Sequence, residues 1–226
     1  MIKEIITDID ELSGRSDEID IRKENKLMRE TILIMKDAIR EKNLKGLSAP
    51  QIGVPKRIIV LNFNGDMRSF INPIITEQEG FDLVKETCSS IPGKTYIRPR
   101  STTVTAMYQT PLGKIESRKF VGLAATVFQH ELDHLDGLPL SDIGLEVTEE
   151  FENASEDEKA ELIKFYLESL DLKEQEVKKE IEEDETLKKT MDAIDFLEKV
   201  QKGEIKLGKG AIEIHSDNEK ENIEET

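Results

Sequence analysis

A chain of 226 residues can bury a sizeable core as one domain, or as one domain with an appendage. Its 48 aspartates plus glutamates against 32 lysines plus arginines give a formal net charge of -16, which argues against nonspecific attraction to nucleic-acid phosphates or to an anionic membrane surface. The single cysteine, Cys88, excludes an intrachain disulfide and leaves that thiol a structural, reactive or ligand role.

The charge is uneven, with 24 acids and 12 bases in residues 151–226, leaving 24 acids and 20 bases for residues 1–150. The amino-terminal stretch MIKEIITDIDELSG carries acids where a secretory signal needs a basic and then an apolar region. No apolar run reaches the roughly 18 residues of a membrane span. A soluble, cytoplasmic protein without membrane or direct nucleic-acid contact is expected.

In chain order, residues 23–42 place Leu27, Ile32, Ile34, Met35 and Ile39 near helical spacing among charges, which predicts an amphipathic helix. KRIIVLNF reads as a strand, and Phe70 to Ile75 as another, interrupted by Pro73. TVTAMYQT and GKIESRKF, joined through Pro111, Leu112 and Gly113, read as a hairpin. From Val121 to Leu135 the character turns helical, and Gly137 with Pro139 ends it. An α+β domain over residues 1–150 results.

Beyond it, Ser155 and Glu158 form a candidate capping box for a helix through Leu170. Charged helical sequence continues with apolar points at Val177, Ile181, Leu187, Met191, Ile194, Phe196 and Leu197. Residues 151–226 are thus read as an acidic helical extension, which either covers the main domain or serves as an arm for a protein partner. The final SDNEKENIEET lacks apolar anchors and is expected to be disordered.

The chemistry concentrates in QHELDH, residues 129–134. His130 and His134, four apart on a helix, share a face and can reach one metal ion, with Glu131 beside the remaining coordination site. The competing reading is two core histidines bonded to backbone acceptors; the third histidine, His215, sits in the tail and reads as merely exposed. A catalytic ion needs three protein ligands and an open position. The third ligand is Glu131, another acid or Cys88, and periodicity does not choose among them.

Three separated motifs in order, GLSAPQ (Gly46 to Gln51), ETCSS (Glu86 to Ser90) and QHELDHLDG (Gln129 to Gly137), make the chain resemble the peptide deformylases over roughly residues 5–145. These enzymes remove the formyl group from the initiator methionine of new proteins, a step of amino-terminal processing in protein biosynthesis. The resemblance implies mostly antiparallel strands around a central HExxH helix, with the metal on Cys88, His130 and His134. It implies Fe(II) as the ion, with Zn, Ni or Co as alternatives that suit one thiolate and two imidazoles. It also implies that Glu131 takes a proton from water and passes it to the leaving amine. The Gln51 amide and the Ser89 backbone N–H would face the oxygen that becomes anionic.

The implied substrates are N-formylmethionyl peptides and nascent chains. The methionine pocket falls by position on Gly46, Val84, Leu123, Thr126 and Val127, although core packing is an equally ordinary use of the apolar members. Glu86 is expected to pair with Arg100 in a purely structural role, and Asp133 to orient a ligand or cap local structure. The chain departs from the pattern at Leu44, Ser48, Thr87 and Ser89. Thr87 stands for a glycine before the cysteine, and glycine often marks tight approach or positive φ. Two other readings are a deformylase-like binding or regulatory module that uses the acidic extension, and a generic zinc peptidase in which Cys88 is not a ligand.

Overall fold

The uninterrupted apolar run from Ile58 to Leu61 calls for burial on both faces, because successive side chains of a strand point to opposite sides. The structure, a computed structural model, describes residues 4–183, with side chains through residue 170. In chain order its elements are α1 (Ile9–Leu12), α2 (Asn25–Lys42), β1 (Gly46–Ser48), a 3-10 turn (Ala49–Ile52), β2 (Ile58–Phe63), β3 (Asp66–Glu79), β4 (Asp82–Cys88), β5 (Ile91–Arg100), β6 (Thr103–Gln109), β7 (Ile115–Val121), α3 (Leu123–Leu135), α4 (Leu140–Ile143), β8 (Leu145–Glu146), α5 (Glu149–Asn153) and α6 (Glu156–Glu183).

All strand pairings in the two sheets are antiparallel, in the orders β1-β2-β3-β6-β7 and β4-β5-β8. The apolar run lies in β2 and splits as its pattern demands. Ile58 and Val60 join Met28, Met35 and Ile39 of α2 in one core cluster. Ile59 and Leu61 join Phe70 and Phe128 in the other, with Phe128 supplied by α3. The main sheet therefore sits between two helices, and α3 is the central one.

Two irregularities in the strands have local causes. β3 continues through Pro73 because the ladder with β6 shifts register between Ile71 and Ile74, and a bulge spares proline a ladder hydrogen bond. Asn72, at φ 48°, takes the left-handed conformation there. Its side-chain amide bonds both the N–H and the carbonyl of Ile19, at 2.9 and 3.0 Å. The pair β4–β5, which the sequence pattern did not single out, contains Pro92, Gly93 and Pro99. β8 meets β5 only at Tyr96 and Ile97, so neither proline lies in that second pairing.

The chain divides into two units after Ile163. The capping box forms as expected, with Ser155 N–H donating to Glu158 Oε2 at 2.8 Å and Glu158 N–H to Ser155 Oγ at 3.4 Å. α6 then runs unbroken to Glu183 through a stretch free of glycine and proline. The side chains of Val177 and Ile181, the apolar positions from Leu187 to Leu197, His215 and the terminal SDNEKENIEET lie outside the described residues. Among the described residues no helix is long and apolar enough to cross a membrane.

Candidate active site

The helix α3 carries His130, Glu131 and His134 toward the end of β4, where Cys88 closes the strand. One donor atom from each of Cys88, His130 and His134 lies within 4.8 Å of the others, and Cys88 Sγ stands 3.2 Å from His134 Nε2. Cys88 reaches this position through a register shift between Thr87 and Cys88 that pairs Cys88 with Ile91. Such a shift re-aims a side chain at the end of a ladder. Thr87 itself is exposed and has no positive φ, which explains how a β-branched residue fits before the cysteine.

Two carboxylates and an arginine fasten this arrangement. Arg100 donates from Nε to Glu86 Oε1 at 2.6 Å and from Nη2 to Oε2 at 3.0 Å, and its Nη1 reaches Asp133 Oδ2 at 2.6 Å. Glu86 Oε2 in turn lies 2.8 Å from His130 Nδ1. Burial pushes the Glu86 carboxyl up, but the bonds from His130 and Arg100 outweigh it and hold the group at about 2. Glu86 is thus an ionised acceptor, so His130 Nδ1 carries a hydrogen, which leaves Nε2 as the nitrogen that can bind a metal ion once its own proton is displaced. Beyond the purely structural pairing with Arg100 expected of Glu86, its Oε2 also orients the imidazole of His130, a candidate ligand. Asp133 reaches that ring only through Arg100 and Glu86 in turn.

Gln51 is placed by a second local device. Its Oε1 accepts from Ser48 N–H and from Ser48 Oγ, both at 2.9 Å. The amide nitrogen is thereby left to face Ser90 Oγ at 3.2 Å and Cys88 Sγ at 3.7 Å. Ser48 and Gln51 form a capping box on the 3-10 turn, so the S-x-x-Q spacing was an unread sequence signal for the placement of Gln51, a residue named from the resemblance. Ser90 was missed; its only signal is adjacency to the cysteine turn. Ser89 lies beside it in the two-residue turn between β4 and β5.

Glu131 is 4% exposed, and its Oε2 has no hydrogen-bond partner among the described residues. Burial lifts its carboxyl to about 7, against the lowering pull of His130 and the Ser48 hydroxyl. A buried acceptor of this kind calls for a water or a ligand hydrogen. His134 is held neutral, lowered to about 3 by burial first and then by the positive charge of His130 and Arg100. His130 goes the other way: burial lowers it, but bonds to Cys88 and Glu86 and the charge of Glu131 raise it well above the usual imidazole value. The same negative partners that favour a proton on that ring favour a cation beside it. A neutral imidazole, a second imidazole fixed by a carboxylate and a thiol, all converging, fit a divalent metal ion.

The remaining candidates frame this centre. A Cβ on Gly46 would lie 2.8 Å from Glu131 Oε1 and Val127 Cγ1 and 2.9 Å from Leu61 Cδ2, so β1 passes against the carboxylate only because this residue is glycine. Leu123 and Val127 line a cleft of roughly 230 Å³ together with Leu61, Phe63 and Ala124. Thr126, one turn along α3, donates its hydroxyl to Gly122 O at 3.4 Å. Val84 stands on β4 opposite Arg98 and is not among the residues that line this cleft. Gln129, beside the first histidine, accepts from Ser101 N–H at 3.0 Å and donates to Ser101 O at 2.9 Å, tying α3 to the residue after Arg100.

A family model described as polypeptide deformylase matches residues 2–145. The peptide deformylase of Desulfitobacterium hafniense is 38% identical over 104 residues, covering 46% of this chain and 69% of that protein. That of Halothermothrix orenii is 41% identical over 107 residues, covering 46% and 70%. Among solved structures, the peptide deformylase from Thermotoga maritima superposes with a TM-score of 0.59 at 29% identity, over 63% of this chain and 97% of that one. The α+β arrangement around the HExxH helix and the converging thiol and imidazoles accord with these matches, and the chain belongs to the peptide deformylase family.

Proposed function

We propose that Cys88, His130 and His134 hold the metal ion with which this hydrolase removes the formyl group from N-formylmethionyl peptides, and that Glu131 moves the proton. The observation that carries the assignment is the convergence of those three donors beside a buried carboxylate whose Oε2 has no partner. Fe(II) is the ion we assign, with Zn, Ni and Co compatible with the same thiolate and imidazole donors. When bound, the ion supplies Lewis acidity to the reaction.

The chain's own groups supply the rest. Glu131 accepts a proton from the attacking water and returns it to the departing amine, a dual role suited to a carboxyl lifted by burial to about 7. Gln51 Nε2, aimed by the Ser48 capping box, and the backbone N–H of Ser89 donate to the formyl oxygen as it gains charge. The carbon–nitrogen bond breaks, and formate and a free amino terminus leave. Among the described residues β1 has a sheet neighbour on one side only, which lets an extended peptide lie along its free edge. The methionine side chain is assigned to the pocket of Gly46, Val84, Leu123, Thr126 and Val127.

The family match ends at residue 145, which supports residues 1–150 as the catalytic part and 151–226 as an acidic extension. The relatives it matches are deformylases, which favours an enzyme over a binding module and over a generic zinc peptidase. The test is formate release from formyl-Met-Ala-Ser by protein reconstituted anaerobically with Fe(II), beside Glu131→Ala. Turnover should fall by roughly 10²–10⁴-fold in the variant with its metal content kept. Equal turnover by the variant, or none by the parent at full metal occupancy, would overturn the assignment.

A further inference from the structure

A side-chain amide offers two acceptor positions on its oxygen and two hydrogens on its nitrogen, and at Gln51 the structure gives each of them a partner. The Ser48 N–H and hydroxyl fill both positions on Oε1, each at 2.9 Å. Because a backbone N–H only donates, that contact also fixes which end of the amide is oxygen. The nitrogen Nε2 has Ser90 Oγ at 3.2 Å and Cys88 Sγ at 3.7 Å. Ser48, Gln51, Ser90 and Cys88 are all 5% exposed or less, so bulk water does not replace a lost partner. A formyl oxygen therefore receives an Nε2 hydrogen only if that hydrogen leaves the partner it already has.

The two partners of Nε2 differ in strength. A hydroxyl oxygen is a good acceptor and sulfur a weak one, and the sulfur contact is the longer of the two. Building on the deformylase reading, we infer that Ser90 is a positioning residue: its hydroxyl keeps one Gln51 hydrogen, so that the other, resting on Cys88 Sγ, is the one presented to the formyl oxygen. The register shift that pairs Cys88 with Ile91 encloses Ser89 and Ser90 in a two-residue turn. One short turn thereby serves both donors to the developing charge, Ser89 through its own backbone N–H and Ser90 by holding Gln51 in place. Without the Ser90 hydroxyl, the nitrogen end of the amide keeps only the sulfur, and its aim at the formyl oxygen becomes one orientation among several.

The test measures kcat, KM and metal content for the full-length, Fe(II)-loaded parent, Ser90→Ala, Gln51→Ala and the double variant, with formyl-Met-Ala-Ser as substrate. Ser90→Ala should lower kcat by roughly tenfold, short of the roughly 10²–10³-fold that loss of an oxyanion donor costs. KM and metal content should stay at the parent level, because the contact gains strength only as the oxygen gains charge. In the Gln51→Ala background, Ser90→Ala should change kcat by less than about twofold, since a residue acting through Gln51 has nothing left to position. Parent-level kcat in Ser90→Ala, or a tenfold loss that persists without Gln51, overturns the positioning role and leaves the deformylase reading standing. Metal loss from Ser90→Ala overturns it as well, by assigning the hydroxyl to the support of Cys88. Failure of the parent to cleave the peptide at full metal occupancy overturns both.

Discussion

The helix α3 presents His130, Glu131 and His134 from an element whose core face is fastened by aromatic packing, whereas β4 presents Cys88 from a bulged strand end fastened by buried charge. On the helix flank, Phe128 stacks on Phe120 at 4.6 Å between centroids and meets Phe70 edge-on at 5.8 Å. Such contacts are short-range and non-exclusive, so each partner keeps some stability without the other. On the strand flank, one guanidinium serves Glu86 and Asp133 together. A buried charge deprived of its partner is strongly destabilising, so this flank depends on a single residue in a way the helix flank does not.

Replacing Arg100 by methionine should therefore have the largest effect. It strands two carboxylates, and we expect a loss of about 3–5 kcal/mol in denaturant unfolding. Metal affinity should also drop by roughly 10–100-fold, because Glu86 no longer holds His130 in one orientation. Wild-type stability in Arg100→Met would show that charge does not fasten the strand flank. Phe128→Ala should cost a comparable or smaller amount, about 3–5 kcal/mol from the cavity it leaves. Its folded fraction should titrate metal like the parent, which separates the two flanks by isothermal titration even if their melting curves coincide.

Gly46→Ala sharpens the comparison at the point where the flanks meet. The added methyl would press on Glu131 Oε1, Val127 and Leu61, costing about 1–3 kcal/mol of stability. Displacement of the carboxylate should lower kcat by roughly 10–100-fold while metal content stays at the parent level. A variant with unchanged kcat would mean that Glu131 has room to move without consequence, contrary to its tight seat.

Legibility differed between the flanks for the same physical reason. Two histidines four apart with apolar neighbours state a helix face locally, and the helix expected over residues 121–135 is realised as Leu123–Leu135. KRIIVLNF likewise read as a strand, realised as Ile58–Phe63, and the hairpin of β6 and β7 was visible from its turn and its alternation. β4 and β5 were not visible, because prolines, a glycine and a bulge blur the period-two pattern that marks a strand. Cys88 was named as a ligand only through resemblance, since nothing in its neighbourhood distinguishes a ligand from a buried small side chain.

By itself, then, the sequence determined the central helix, the spacing of two candidate ligands with Glu131 between them, the strand over KRIIVLNF and the acidic bias of the region after residue 150. These are local properties, set by the backbone periods of helix and strand. Only the tertiary structure brought Cys88 to 3.2 Å from His134, bonded Glu86 to His130 and seated Gly46 against Glu131. Each of those contacts joins residues more than forty positions apart, and their geometry follows from sheet register, a bulge and a shared arginine, which no short window of sequence encodes.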